Sequence, residues 1–166
     1  MANLEELFDY KNRLMQDLMT NKTIVSLINE NVEFENAESL IYTQVFPYEY
    51  IPDTVEVGHT FICIDVDLLG IDNKTFYNPV LYVWEFTHKT KLRLPEGGVR
   101  TDKLASEIAR AINGSRYYGL GELSLTAVKR FAPIVDFNGK VMTFHAKDYN
   151  RPFDPKKPTP ANRKDW

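Results

Sequence analysis

The sequence predicts an α+β fold: an antiparallel or mixed β-sheet with helices packed mainly on one face, and a flexible C-terminal arm. Three observations predict it. Apolar residues recur at a helical period near the start of the chain and again after residue 100. Between and after these segments lie runs of strict apolar alternation, the period of a strand. The strand-like runs adjoin one another along the chain, which favours hairpin links and an antiparallel or mixed sheet over parallel crossovers. The 166 residues fit one domain, read here as residues 1–150, with 151–166 as the arm.

The first element is a helix over "LEELFDYKNRLMQDLMT", where Leu4, Leu7, Phe8, Leu14, Met15 and Leu18 form one stripe. Asn3 with Glu6 reads as a capping box, and Glu5 and Glu6 suit the positive end of the helix dipole. A short second helix, "NKTIVSLINENV", follows the break at "TNKT", and residues 31–39 read as a polar loop. "LIYTQVF" alternates as a first strand up to Pro47, and "PYEYIPDTVEVG" is an extended loop.

"HTFICIDVDLL" is a strand with Ile62, Ile64, Val66 and Leu68 on one face and Phe61, Cys63, Asp65 and Asp67 on the other. After the "GIDNK" turn, "PVLYVWEFTHKTKLRL" is a long strand. Val80, Tyr82, Trp84 and Phe86 share one face, and Leu81, Val83, Glu85 and Thr87 share the other. "PEGGVR" ends it and releases the chain into a helix near 101–113. Thr101 or Asp102 would cap that helix, Leu104, Ile108 and Ile112 form its stripe, and Gly114 sits at C′. "GLGELSLTAVKRFAPI" supplies a further strand, with Leu123, Leu125 and Ala127 alternating against Ser124, Thr126 and Val128. "VDFNGKVMTFHAKDYN" reads as a hairpin turning at Asn138-Gly139, a strong hairpin dipeptide. The arm "RPFDPKKPTPANRKDW" holds four prolines and no apolar period.

Composition narrows the function classes. The arm carries five basic and two acidic residues, a net +3, which leaves −6 on residues 1–150. An acidic body lacks the basic patch that duplex binding requires, so no sequence-specific nucleic-acid role is expected. One cysteine, Cys63, excludes an internal disulfide and a multi-cysteine metal site. No apolar run approaches the length of a membrane span, and the N-terminus lacks an apolar signal core. A soluble protein made in the cytoplasm is expected.

The glycines of "PEGGVRTDKLASEIARAING" fail the spacing of phosphate loops and dinucleotide fingerprints, so this stretch is a helix start and no cofactor is expected. Asp65 and Asp67, joined by Glu85, form the one carboxylate set with the chemistry of a small Mg-dependent nuclease. His59, His88 and His145 are scattered, without a second His or Cys at ligand spacing; His88 and His145 read as solvent-facing strand residues. No nucleophile–base–orienting acid set is present in the pattern, and Cys63 reads as a small hydrophobe. Arg116, Tyr117 and Tyr118 in "RYYGLG" could stack on bases, but a packing role with a neighbour fits the acidic body better.

Taken in order, the amphipathic first helix, the antiparallel pair "FICIDVDLL" and "PVLYVWEFTHKT", the crossing helix "RTDKLASEIARAING", and the closing "LSLTAVKRF" and "VMTFHAKDYN" resemble the tail-terminator and related neck proteins of tailed bacteriophages. The resemblance spans residues 1–150 and is architectural. It implies a sheet with helices on one face and no enzymatic activity. It also implies a homo-oligomeric ring, commonly a hexamer, in the virion neck, capping the tail-tube protein and joining it to the head connector. A head-completion (stopper) protein of the same neck is the alternative within that assembly. A module gripping a host protein is the alternative outside it. Partner contacts are expected at Arg100, Tyr117, Tyr118, Arg151, Phe153 and Trp166, the last because Trp makes a good interface anchor.

Overall fold

The computed structural model describes residues 4–52, 58–71 and 75–150. Asn3, most of the "GIDNK" turn and all of the C-terminal arm lie outside the described residues. Three α-helices are described, α1 (Glu5–Met19), α2 (Lys22–Ile28) and α3 (Arg100–Ile112). They accompany strands β1 (Val45–Phe46), β2 (Thr60–Leu69), β3 (Phe76–His88), β4 (Leu120–Phe131) and β5 (Phe137–Tyr149). The strands form one sheet in the order β1-β2-β3-β5-β4. β1 runs parallel to β2 and all other pairs are antiparallel, so the sheet is mixed and the fold is α+β.

The three helices pack on one face of this sheet. Ile62, Ile64 and Val66 of β2, Leu81 and Val83 of β3, and Met142 and Phe144 of β5 meet Leu14, Leu18, Leu27, Leu104, Ile108 and Ile112 from the helices. The expected face assignments of β2 and β3 and the apolar stripe of α3 hold. α1 buries its second half more than its first. Tyr10, Leu14, Met15, Leu18 and Met19 are in the core, whereas Leu4 and Phe8 are 61% and 44% exposed. Leu4 at its cap position makes no side-chain cap. Glu6 accepts a hydrogen bond from the Tyr77 hydroxyl, tying the helix to β3, and the expected capping box with Asn3 lies outside the described residues. α2 starts where its sequence says it should, because the Asn21 side chain accepts from the backbone N–H groups of Thr23 and Ile24.

Four local expectations change. The strand over 40–46 contracts to Val45–Phe46. Residues 34–40 form a 3₁₀ segment, and Tyr42 adopts φ 62°, which curls the backbone so that Tyr42 N–H bonds Val45 O within the turn. The Asn138-Gly139 pair lies inside β5, not at a turn; residues 132–136 connect β4 to β5. Gly139 stands opposite Phe86 and Phe131, and a Cβ there would overlap the Glu85 carbonyl oxygen. The glycine is thus needed for close approach of strands, a use that gives the same dipeptide as a hairpin. A register shift between Leu125 and Ala127 puts Ala127 on the face of Ser124 and returns Val128 to the face of Leu125. Finally, α3 begins at Arg100 with Val99 at the cap position and no side-chain cap, so Thr101 and Asp102 lie in its first turn. Gly114 follows the helix with φ 80°, as its position at C′ requires.

Candidate assembly surface

Among the described residues, the face of the sheet away from the helices is closed by a cluster of aromatic rings at one end, and Val80 toward the other end is also buried. Phe46, Phe61, Cys63, Phe86 and Phe137 form this second buried cluster, flanked by Tyr50, Trp84, Phe131 and Ile134. Phe46 and Tyr50 stack at 4.1 Å, and Phe61 and Phe86 at 5.5 Å. Beyond this cluster the same face continues through Tyr82 and Trp84 of β3, Val141 and Thr143 of β5, and Ala127 of β4, all half-buried. Tyr82 and Trp84 stack at 5.6 Å. At the far end Phe76 stacks on Tyr149 at 5.4 Å, with the Lys147 ammonium 5.1 Å from the Phe76 ring. The Tyr82 hydroxyl is raised above its ordinary pKa by desolvation first, and by the charge and hydrogen bond of Asp67. This is a ladder of flat aromatic surfaces edged by an exposed carboxylate.

Asp65 and Asp67 lie on this open face, while Glu85 points to the helix side, opposite Ile62. The three carboxylates are therefore not brought together, and Asp65 is engaged by Lys11 of α1 at 2.6 Å. Among the described residues no three His, Cys, Asp or Glu side chains gather as a metal site. The geometry gives the nuclease reading no centre. Glu85 is fully buried, and neither carboxylate oxygen has a hydrogen bond of good geometry. Burial drives its pKa well above the usual carboxylate range. Lys140, by charge and backbone amide, pulls the other way, and Asp102 adds to the rise. Lys140 itself pairs with Asp102 at 2.8 Å. Sequence reasoning missed this buried acid because it occupies an apolar position of a regular alternation; its neighbours Leu81 and Val83 on the same face were the available signal.

The histidines stay apart. His59 and His145 are exposed, whereas His88 is buried, a correction to its expected place in solvent. Its Nδ1 accepts the Thr90 N–H at 3.4 Å, and its ring meets Phe137 edge-on at 5.2 Å. Cys63 is buried, and desolvation raises its thiol to about 11, so it stays protonated and unreactive near neutral pH.

Two of the expected partner contacts are used inside the chain. Arg100 is 6% exposed. Its guanidinium donates to Leu27 O and Lys91 O, both at 2.9 Å, stapling the end of α2 to the segment after β3. Tyr118 is 1% exposed and donates to Asp17 at 2.6 Å. Tyr117 is 70% exposed, with the Arg13 guanidinium 5.5 Å from its ring. Arg151, Phe153 and Trp166 lie outside the described residues. Near Arg100 a polar pocket of roughly 210 Å³ is lined by Asn29, Glu30, Gln44, His59 and Lys91. Gln44 organises it: its amide donates to Ile28 O and Thr60 O and its oxygen accepts from Asn29. The role of Gln44 was hidden because "LIYTQVF" looked like a plain strand.

A chain in the virion of a native gene transfer agent particle shares the fold. The TM-score is 0.52 over 82% of this chain and 91% of that one, at 18% sequence identity. No curated protein matches the sequence. No helix among the described residues is long and apolar enough to cross a membrane. The YomW family model matches residues 9–146, from α1 through nearly all of β5. This chain belongs to the YomW family.

Proposed function

We propose that this protein is a structural subunit of a phage-type particle, and within it a tail terminator. In this reading it forms a ring, commonly a hexamer, that caps the tail tube and joins it to the head connector, and it performs no catalysis. The observation that carries the reading is the fold shared with a chain of the gene transfer agent virion, which accounts for 91% of that chain. The open aromatic face supports it, because half-buried aromatic surface at the centre of a sheet fits burial against another chain. The polar pocket beside Arg100 is walled by groups already bonded to one another, which suits a structural joint.

The test is assembly. The purified full chain, alone and with isolated tail tubes, is examined by light scattering and negative-stain imaging. A species of six times the 19.2 kDa subunit mass, or rings decorating tube ends, is expected. A strict monomer at high concentration that leaves tubes undecorated overturns the reading. Rings that bind head connectors but not tubes would reassign it to the stopper of the same neck.

A further inference from the structure

We infer that the polar pocket at the start of α3 binds a phosphate-type oxyanion, with the Arg100 guanidinium as its anchor. The pocket, of roughly 210 Å³, takes its donors from separate segments: Asn31 after α2, His59 before β2, Lys91 after β3 and Arg100 at the start of α3. Arg100 is 6% exposed, yet only part of its guanidinium is spent on the fold. Nε donates to Lys91 O and Nη1 to Leu27 O, both at 2.9 Å. Nη2 makes no hydrogen bond among the described residues and is not sealed by protein, so it opens on the pocket. A guanidinium held at two of its edges has the third fixed in place, and a fixed planar fork loses little freedom when it takes up an oxyanion.

The rest of the wall adds donors and little competition. Gln44 is fully used, donating to Ile28 O and Thr60 O and accepting from Asn29, so it is a rigid back to the pocket. The Lys91 ammonium pairs with Glu30 at 3.2 Å, with both side chains about half exposed. Such a pair is weak and yields to another anion. The side-chain amide of Asn31 makes no hydrogen bond among the described residues, and the His59 ring, exposed, touches only the Phe61 ring among them, at 6.0 Å. Arg100 and Lys91 against Glu30 leave the lining at net +1, on residues 1–150 of net −6. Glu96, a further carboxylate that feels Arg100, is exposed and already bonded to Lys103 at 2.8 Å. Donors arriving from four segments suit a tetrahedral anion, whose oxygens diverge, better than a planar carboxylate, which one guanidinium edge satisfies. The inference stands on this pocket and does not depend on the tail-terminator reading.

Inorganic phosphate is titrated into the full-length, nitrogen-15-labelled chain, with chloride adjusted to hold the ionic strength constant. The Arg100 Nε–H signal and the backbone amides of Asn31 and His59 are followed by NMR. Saturating shifts centred on these signals are expected, with half-saturation in the millimolar range. Lys91→Gln keeps the backbone carbonyl that holds Arg100 and should weaken binding about threefold, the share of an exposed charge. Arg100→Lys keeps the charge but loses the fork and should weaken it about tenfold. Where Arg100→Lys fails to fold because the staple to α2 is lost, Lys91→Gln combined with His59→Gln, which leaves the staple intact, decides the matter. Shifts that stay linear and spread over the whole surface overturn the proposal, as does a Lys91→Gln, His59→Gln chain that binds phosphate like the wild type. Acetate binding as tightly as phosphate overturns the assignment of a tetrahedral anion. Assembly into rings is scored separately, so failure of one idea leaves the other standing.

Discussion

On the helix side of the sheet, Ile62, Ile64, Leu81, Val83, Met142 and Phe144 are at most 1% exposed, sealed by three helices. On the other side, Phe61 and Phe86 are equally sealed, but by aromatic rings from the loops beside them, and two residues further along β3 the face opens at Trp84 and Tyr82. Both sides obey the same strand alternation. The difference lies in what the chain has available to cover them. Helices bring long apolar stripes across the strands, whereas among the described residues Tyr50 and the β4–β5 connection pack against the end of the strands at Phe61 and Phe86. Stability should therefore concentrate on one face and binding capacity on the other.

The largest effect tests the strands that both faces share. Gly139→Ala forces a Cβ into the Glu85 carbonyl and must part β3 from β5. A loss above about 4 kcal/mol in urea unfolding, or no folded protein, is expected; a loss below about 1 kcal/mol would show that the pairing can slide to make room. The comparison itself is tested by a pair. Ile64→Ala on the sealed face should cost about 3 kcal/mol, and Tyr82→Ala on the open face about 1 kcal/mol or less. Equal losses would show that the open face is as much core as the other.

Glu85 tests the electrostatic cost of the sealed face. The unfolded carboxyl titrates in the ordinary glutamate range, and burial lifts the folded one well above it. Below the unfolded value both states are protonated and the stabilising preference of the folded chain for the proton is fully present. As pH rises, the unfolded chain loses its proton first. Stability then falls until the folded pKa is passed and stays level above it. Glu85→Gln removes that slope, so the gap in urea midpoint between variant and wild type should widen with pH; a constant gap would mean that Glu85 is charged and satisfied throughout. The smallest effect is on the exposed side of α3. Arg110 is 72% exposed and its bond to Glu107 is open to screening, so Arg110→Ala should cost about 0.3 kcal/mol, within the error of most unfolding curves.

Much of the fold was legible because it rests on near-neighbour chemistry. The faces of β2 and β3 follow from alternation. The stripe of α3 follows from Leu104, Ile108 and Ile112, its end from Gly114, and the start of α2 from the Asn21 break. What misled were local patterns with two meanings. Asn138-Gly139 serves a close strand approach as well as a hairpin, and "LIYTQVF" alternates like a strand yet is curled by the positive φ of Tyr42. The assembly surface was half legible. The shared face of Tyr82, Trp84 and Phe86 on β3 followed from alternation, but Arg100 and Tyr118, expected as partner contacts, turned inward to carbonyls and to Asp17.

The sequence by itself determined the class of fold, the faces of its long strands and the absence of a phosphate-loop or dinucleotide fingerprint, because periodicity and spacing act over a few residues. Only the tertiary structure decided the strand order, the split of Asp65 and Asp67 from Glu85, the burial of His88, and which half of the second face stays open. Those outcomes depend on contacts between residues far apart in the chain, such as Glu6 with Tyr77, Asp17 with Tyr118 and Leu27 with Arg100, whose pairing no local pattern encodes.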